Sequence, residues 1–438
     1  MLMFTIFRLP QPSVLHLNLK QRNLEIGLFA SIITGDPTMR EIKMIQTMSA
    51  ELKKRLPRWD AIGDSSYNIK KFFDDIPIGQ KFLIISGHID DELECFNYLD
   101  ILSQLNGRSM ENPVMKRLIS YLAEHYSGRI YRGNDSRHIG IYEKDKRICR
   151  FCDRRMPDVT FKHKSHAISE ALGNKGLICL EECDDCNKRF NESLEQDIIK
   201  MMTPNLLMHG VAGKKGIPQL KGDGFSVRID TGSRATLGRD TLVYTLRDMP
   251  NSRDIKKVLA GINKDYKTYL RYVPENVYKC LCKFVLSLID SSELKHFKDT
   301  IAWINEPLAK HRLPPIWHYS VKHEGKTWER TTSMIVMSRK HSEKNLPYCW
   351  AIIIIAGEPY LFIIPFCSQD KFKFVNKRKQ EFFIDGISKM MNGMQFHPMT
   401  MNRIKPVQIV IRQSIEIPPE CLEGQDYSLI EQNLESVI

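Results

Sequence analysis

The sequence predicts an α+β fold with a four-cysteine zinc site near its centre, a mixed α/β region before it and a mainly β region after it. Apolar residues recur at helical spacing early in the chain, two Cys-x-x-Cys pairs follow, and strand-like apolar runs come last. These observations divide the chain into regions 1–145, 146–205, 206–310 and 311–438.

The balance of charged residues favours a polyanionic partner. The 438 residues include 64 Lys and Arg against 52 Asp and Glu, which gives a formal net charge of +12. With 42% hydrophobic and 26% charged residues, the composition is that of a globular protein able to bury one or more cores. The positive charge fits nucleic acid or an anionic membrane surface.

Cysteine usage and hydropathy favour a cytoplasmic protein without a membrane partner. No secretory signal is visible in MLMFTIFRLPQP, so the Cys-x-x-Cys pairs among the 11 cysteines are expected to be metal ligands or redox thiols rather than structural disulfides. The most apolar run, Trp350–Phe366, is interrupted by Gly357, Glu358 and Pro359. Neither half can span a bilayer, so we expect two buried strands joined by a turn.

The first region, 1–145, is predicted to mix helices and strands. A capping box at Thr38 and Glu41 precedes apolar residues at helical spacing from Ile42 to Leu52, which predicts a helix. The other predicted elements are a strand at Phe82–Ser86 and helices at Asp91–Leu105 and Pro113–Tyr126.

Two pairs of cysteines in the second region predict a structural zinc site. Cys149 and Cys152 form CRFC, and Cys183 and Cys186 form CDDC. Each pair places two thiolates on a tight turn that suits one side of a tetrahedral Zn²⁺. The alternatives are a thioredoxin-like redox pair or core cysteines that bind no metal, although redox motifs rarely occur as two separated pairs. Cys179 could compete as a ligand or lie in a buried strand.

The residues between and after the pairs predict strand, loop, strand and helix in that order. Asp158–Lys164 alternates like a half-exposed strand, and Lys175–Leu180 forms a second strand. A helix is predicted to open at Asn187 and to end near Met201. Zinc would tie the two ends of this segment together.

The segment SHAISEALGN, between the two pairs, resembles the HNH endonucleases, or ββα-metal nucleases, in the branch with a four-cysteine zinc site. The resemblance covers residues 146 to about 200, and no family is recognised outside that window. It implies a central ββα-metal (HNH) module within the α+β fold. It also implies hydrolysis of phosphodiesters that leaves 5′-phosphate and 3′-hydroxyl ends.

The resemblance assigns roles to four residues. His166 matches the general base that takes a proton from the attacking water. Asn174 matches the asparagine that braces the loop and fixes the histidine ring. Asn187 matches a ligand of a catalytic Mg²⁺ or Mn²⁺, separate from the zinc. Glu195 lies two helical turns after Asn187 and would complete or support the site.

One residue departs from the family pattern. Ser165 stands where many relatives carry Asp or His as a metal ligand, so a carboxylate such as Glu170 or Glu195 would have to replace it. Asn191 and Glu192 are rivals of Glu195 for the metal. The full set of ligands therefore stays open.

Each assigned residue also has a structural alternative. His166 could be a buried histidine satisfied by hydrogen bonds, and Asn174 could serve a left-handed turn after Gly173. Asn187 could be a helix N-cap, and Glu195 could lie on a solvated helix face.

Basic residues surround these positions and are expected to hold phosphates near the metal. Those that we assign to nucleic-acid binding are Lys162, Lys164, Lys175, Lys188 and Arg189. By the resemblance DNA is favoured over RNA, with RNA still open. A regulatory protein partner or a homo-oligomer is also open.

The last two regions are predicted from their turns and apolar runs. GVAGKKG, residues 210–216, lacks the P-loop pattern and is predicted to be a mobile basic loop that could touch nucleic acid. FSVRI and TLVYTL predict a hairpin, and Asn276–Asp290 predicts a helix with one apolar face. The runs that predict later strands are TTSMIVM, CWAIIII, YLFII and VQIVI.

Three hypotheses of function follow. The first is an HNH endonuclease, and the second is a non-catalytic zinc module that binds nucleic acid or a partner protein. The third is a nuclease effector kept silent until a signal arrives, as in bacterial antiphage defence. It is motivated by the large regions on both sides of residues 146–205.

Overall fold

The computed structural model describes residues 2–9, 12–19, 24–35, 44–61, 66–108, 113–231, 241–246, 264–308, 311–319, 331–340, 345–390 and 395–415. Helices and strands are mixed, which confirms the α+β class. None of the helices in these ranges combines the length and apolar character needed to cross a bilayer. One compact unit comprises Met1–Ile130, Met337–Leu346 and Glu381–Gln395; the other comprises Tyr131–Val336, Pro347–Gln380 and Phe396–Ile438.

The first unit contains a four-stranded antiparallel sheet. Its strands are β1 (Leu2–Arg8), β2 (Ser13–Leu19), β3 (Met44–Thr47) and β4 (Lys81–Ser86), in the order β2-β1-β4-β3. The helices in the N-terminal part of this unit are α1 (Leu24–Ile33), α2 (Ala50–Arg55), α3 (Ser66–Asp74), α4 (Glu92–Leu105) and α5 (Pro113–His125). The predicted strand at Phe82–Ser86 and the predicted helices at Asp91–Leu105 and Pro113–Tyr126 are therefore confirmed, within a residue at each end.

The helix predicted after Thr38 and Glu41 is wrong in its first half. Those two residues lie outside the described residues, and Met44–Thr47 forms strand β3, paired with β4. The helix begins only after Ser49, whose hydroxyl accepts a hydrogen bond from the backbone NH of Leu52. Because an N-cap of this kind fixes where a helix starts, the periodic residues are divided between a strand and a helix.

The remaining elements follow in chain order. The strands are β5 (Tyr126–Arg132), β6 (Arg137–Ile139), β7 (Ser165–His166), β8 (Leu177–Cys179), β9 (Leu220–Gly222), β10 (Phe225–Asp230), β11 (Thr241–Leu246), β12 (Lys264–Tyr272), β13 (Ile316–His318), β14 (Ser333–Arg339), β15 (Cys349–Ile355), β16 (Glu358–Ile363), β17 (His397–Met399) and β18 (Val407–Ile415). The helices are α6 (Asp184–Glu192), α7 (Leu194–Met208), α8 (Pro274–Leu288), α9 (Lys298–Asn305) and α10 (Lys377–Met390). Helix α10 is absent from the sequence prediction.

These strands form four sheets, ordered β17-β13-β16-β15-β14-β5, β11-β10-β9, β12-β18 and β6-β8-β7. The two strands predicted within Trp350–Phe366 are confirmed as the antiparallel pair β15 and β16. They join through Ala356 and Gly357, both at positive φ, as a two-residue hairpin turn of type I′ requires. The hairpin predicted from FSVRI and TLVYTL is confirmed as β10 and β11.

Helix α8 lies in the core of the second unit and confirms the helix predicted near Asn276–Asp290. Every residue of α8 except Asn276 is buried, whereas the sequence predicts one apolar face. A helix that is buried on all sides needs partners for its polar side chains. The partners of Lys283 lie in the cysteine-containing segment described below.

The strand predicted over Asp158–Lys164 is wrong, because only the two residues of β7 pair with β8. The backbone before β7 is held by Asp184 instead of by a neighbouring strand. Its carboxylate accepts hydrogen bonds from the backbone NH groups of Lys162 and His163. A carboxylate that satisfies these groups removes the need for a sheet partner.

The helix predicted to open at Asn187 begins earlier and is interrupted. Cys183 is the N-cap of α6, so Asn187 lies inside the helix and the N-cap alternative for it is wrong. Ser193, at φ −120° and ψ −83°, separates α6 from α7. The second predicted strand, Lys175–Leu180, is confirmed in shorter form as β8.

Candidate functional site

Four cysteine side chains converge where the loop before β7 meets the start of α6. The Sγ atoms of Cys149, Cys152, Cys183 and Cys186 all lie within 4.8 Å of one another. Cys152 Sγ and Cys183 Sγ are 3.8 Å apart. Tetrahedral ligation at about 2.3 Å would place thiolates about 3.8 Å apart, so the cluster fits a zinc ion. The predicted four-cysteine group is thus confirmed as one that could hold a metal.

Burial and charge explain why this cluster suits a cation. Burial raises the pKa of Cys183 to about 12, so several thiolates would need a bound positive charge to coexist there. Within the described ranges, no other set of three or more His, Cys, Asp or Glu ligand atoms lies close enough for a metal. Cys179 is buried in β8 and is not a member of the cluster.

A cavity of about 850 Å³ opens over the loop after β7 and over helices α6 and α7. Three of the residues predicted for catalysis or for the catalytic metal, His166, Asn187 and Glu195, line it. Glu170 and Asn191 line it too, whereas Glu192 does not. Because α6 and α7 separate at Ser193, the helical spacing used in the prediction does not explain this convergence; the packing of the two helices does.

His166 ends strand β7 with a side chain that is 24% exposed. Its Nε2 lies 3.6 Å from Glu170 Oε2, and its buried Nδ1 has no hydrogen-bond partner among the described residues. Burial lowers the pKa of the imidazole below 6.5. The ring is therefore mainly neutral at pH 7 and able to accept a proton.

Asn174 is buried and braces the loop that follows His166. Its side-chain NH₂ donates to the backbone oxygens of Ile168 (2.6 Å) and Leu177 (3.0 Å), and its Oδ1 accepts from the NH of Leu177 (3.0 Å). Gly173 before it has φ 94°, in the left-handed region that glycine adopts without strain. Asn174 does not line the cavity, so its contacts are those of a structural residue.

The predicted nucleic-acid-binding residues are all exposed but differ in position. Lys164 lines the cavity, and Lys175 Nζ lies 3.7 Å from Glu170 Oε1 beside it. Arg189 donates a hydrogen bond to Asn305 Oδ1. Lys162 and Lys188 do not line the cavity. One of the five is therefore in the cavity wall, and Lys175 touches a residue of that wall.

Sequence reasoning missed a buried ion cluster that joins this site to α8. Lys283 Nζ lies 3.1 Å from Glu182 Oε2, 3.3 Å from Glu195 Oε1 and 3.4 Å from the backbone oxygen of His166. The Lys283 and Glu182 side chains are both 0% exposed. Burial raises the pKa of Glu182 to about 7 in spite of the neighbouring lysine.

A signal for this cluster exists in the sequence of α8. Its buried polar residues recur every fourth position, at Glu275, Lys279, Lys283 and Ser287. A polar stripe inside an apolar helix indicates buried partners, since unpaired buried charges are costly. The sequence does not say where those partners lie.

Replacing Lys283 by methionine is expected to lower the free energy of unfolding by about 3 to 5 kcal/mol, because it strands two carboxylates in the core. Urea unfolding followed by circular dichroism measures the loss. Lys295→Met, at an exposed position, is the control and should change little. Adding Glu182→Gln to Lys283→Met should restore part of the stability. Equal stability of Lys283→Met and the wild type would contradict the ion cluster.

Comparison with protein-family models, curated proteins and solved structures finds nothing that matches this chain. The site must therefore be interpreted from its own residues. It combines a neutral imidazole, a carboxylate and an amide in one cavity, close in sequence to a cysteine cluster that fits zinc.

Proposed function

We propose that the chain is a metal-dependent HNH-type endonuclease that hydrolyses phosphodiester bonds of nucleic acid, with DNA favoured over RNA. The observation that carries the proposal is that His166, Asn187 and Glu195 line one cavity. A general base beside oxygen donors is what metal-assisted phosphodiester hydrolysis requires. The order β7, β8, α6 agrees with the strand, strand, helix order that the resemblance to ββα-metal nucleases implies.

In the proposed reaction His166 accepts a proton from water while the water oxygen attacks phosphorus. The bond from phosphorus to the 3′-oxygen breaks, and that oxygen takes up a proton from solvent. The products are a 5′-phosphate and a 3′-hydroxyl. A bound divalent ion supplies positive charge that stabilises the leaving oxygen.

Asn187 and Glu195 are the proposed ligands of that ion. Their oxygen donors suit Mg²⁺ or Mn²⁺, whereas the four thiols of the cysteine cluster suit zinc. Lys283 holds Oε1 of Glu195 at 3.3 Å and so fixes the carboxylate at the cavity wall. Glu170 is the alternative ligand. Its Oε2 lies 3.6 Å from His166 Nε2, which also suits it to orient the ring.

A non-catalytic zinc module that binds nucleic acid or a partner protein is the second candidate function. Ser165 favours it, because its buried hydroxyl donates to the backbone oxygen of Glu182 and does not line the cavity. The position where many relatives place a metal ligand is thus used for structure. A nuclease kept silent until a signal arrives, as in antiphage defence, is a regulated form of the first proposal.

Incubation of supercoiled plasmid with purified full-length protein tests the proposal. We expect nicked and then linear DNA with Mg²⁺ or Mn²⁺, and intact plasmid with EDTA. Cleaved ends should carry 5′-phosphate, detectable by ligation without prior phosphorylation. One tightly bound zinc per chain, with no cleavage under either metal, would favour the zinc module instead.

The pH dependence of cleavage should report the lowered pKa of His166. Because burial favours the neutral ring, the rate should stay level through neutrality. It should fall as the pH drops through an apparent pKa below 6.5, where the base becomes protonated. The measurement is kcat/KM from about pH 5 to about pH 8 at saturating Mg²⁺. An acid limb centred above pH 7 would contradict a neutral buried imidazole.

A further inference from the structure

A two-residue turn after α7 presents two lysines side by side. Gly213 and Gly216 exchange two backbone hydrogen bonds, each of 3.1 Å, so that Lys214 and Lys215 form the tip. Gly216 has φ 87°, which glycine allows without strain. The tip is exposed, while Val211 at the base of the turn is buried.

The turn contacts the loop that follows His166. A Cβ added at Gly213 would lie 2.8 Å from Ala171 Cα, so only glycine permits this close approach. Lys214 and Lys215 line the same cavity as His166, Asn187 and Glu195. The sequence places these lysines outside residues 146–205, in a segment predicted to be a basic loop that could touch nucleic acid, with no role assigned to either lysine.

The carboxylates that line the cavity have cationic neighbours other than Lys214 and Lys215, so these two lysines are available to an anionic ligand. Glu170 lies near His166 and Lys175, and Glu195 is paired with Lys283. Within the described part of the chain, neither Lys214 nor Lys215 forms an ion pair. Two adjacent ammonium groups on a short turn suit the oxygens of a phosphate.

We propose that Lys214 and Lys215 bind a phosphate of the substrate strand other than the one that is hydrolysed. The inference depends on the proposed nuclease function and specifies its substrate. The substrate is a polynucleotide with at least two phosphates, of which the attacked one lies at His166 and another lies at the turn. A diester with a single phosphate reaches His166 but gains nothing from the turn.

Two substrates distinguish phosphate binding by Lys214 and Lys215 from the hydrolysis step at His166. One is a single-stranded 20-nucleotide DNA, and the other is bis(4-nitrophenyl) phosphate, which has one phosphate. Lys214→Gln, Lys215→Gln and the double variant are compared with Lys221→Gln. Lys221 is exposed on β9 and does not line the cavity.

We expect the double variant to lower kcat/KM for the oligonucleotide by roughly tenfold or more through KM. It should leave hydrolysis of bis(4-nitrophenyl) phosphate unchanged. Lys221→Gln should change neither. An equal loss on both substrates, or no loss on the oligonucleotide, would overturn the phosphate site.

A binding measurement tests the phosphate site independently of the proposed nuclease activity. Fluorescence anisotropy of the labelled oligonucleotide is followed with the His166→Ala variant, with and without the two lysine substitutions. The dependence of log Kd on log salt should become shallower by roughly 0.7 for each phosphate that the protein no longer neutralises. If the wild type hydrolyses neither substrate, the nuclease proposal fails. An unchanged salt slope refutes the phosphate site in either case.

Discussion

His166→Ala is expected to lower the rate of metal-dependent cleavage about a hundredfold to ten-thousandfold below that of the wild type. The substitution removes the neutral imidazole from the cavity that Asn187 and Glu195 also line. The backbone oxygen of His166 that faces Lys283 is retained, and so are the hydrogen bonds of Asn174. We therefore expect normal folding, and single-turnover nicking of plasmid at saturating Mg²⁺ measures the loss.

His163→Ala is the matched control for this variant. His163 lines the same cavity and is exposed, and it contacts Asp184 through its backbone NH, which alanine keeps. It should cleave close to the wild-type rate. If the two alanine variants cleave equally fast, the general base is not His166 and the active site lies elsewhere.

Loss of the four-cysteine site is expected to lower the stability of the protein much more than His166→Ala does. If the cluster holds zinc, Cys183→Ser should prevent that ion from binding and unfold its surroundings, because structural zinc contributes on the order of 10 kcal/mol to small domains. Cys183 lies at the start of α6 and makes no side-chain capping hydrogen bond, so only its bond to the metal would tie the helix that carries Asn187 to the other three cysteines. Zinc content by mass spectrometry and thermal unfolding by calorimetry measure the two consequences.

Cys179→Ala is the control for the zinc prediction. Cys179 is buried in β8 but does not belong to the cluster. Its replacement should leave one zinc per chain and a modest loss of stability. Zinc lost from Cys179→Ala, or retained in full by Cys183→Ser, would show that the ligands are assigned wrongly.

The sequence was most informative where a short motif specifies geometry. Two Cys-x-x-Cys pairs define a cluster wherever the chain brings them together, and the structure does so. The predicted helix near Asn276 and the hairpin at Gly357 follow from periodicity and turn chemistry, which are local properties. The nuclease chemistry at His166 stays a prediction until cleavage is measured.

Long-range contacts explain why two elements of secondary structure were predicted wrongly. The alternation in Asp158–Lys164 suggested a strand, but Asp184 satisfies that backbone from far along the chain. Likewise, periodicity after Thr38 could not reveal that Met44–Thr47 pairs with β4. Neither partner is visible in a short window of sequence.

Long-range contacts also limit what the sequence predicts about the residues around His166. Lys283 and Lys214 lie far in sequence from His166, and only the folded chain brings them to it. Nothing in the spacing of the motif indicates which distant lysines these are. The buried polar stripe of α8 and the paired lysines between glycines are nevertheless visible features of the sequence.

The contacts of Lys283 determine whether the cysteine-containing segment can be moved to another protein, and they restrict how the sequence can change among homologues. A fragment ending after α7 would keep Glu182 and Glu195 but lose the cation between them. The cysteine-containing segment is therefore not a cassette that can be grafted onto another scaffold without α8. Among descendants of a common ancestor, loss of the cation at position 283 should be accompanied by loss of the acid at position 182. Positions 182 and 283 should therefore covary in an alignment of homologous sequences.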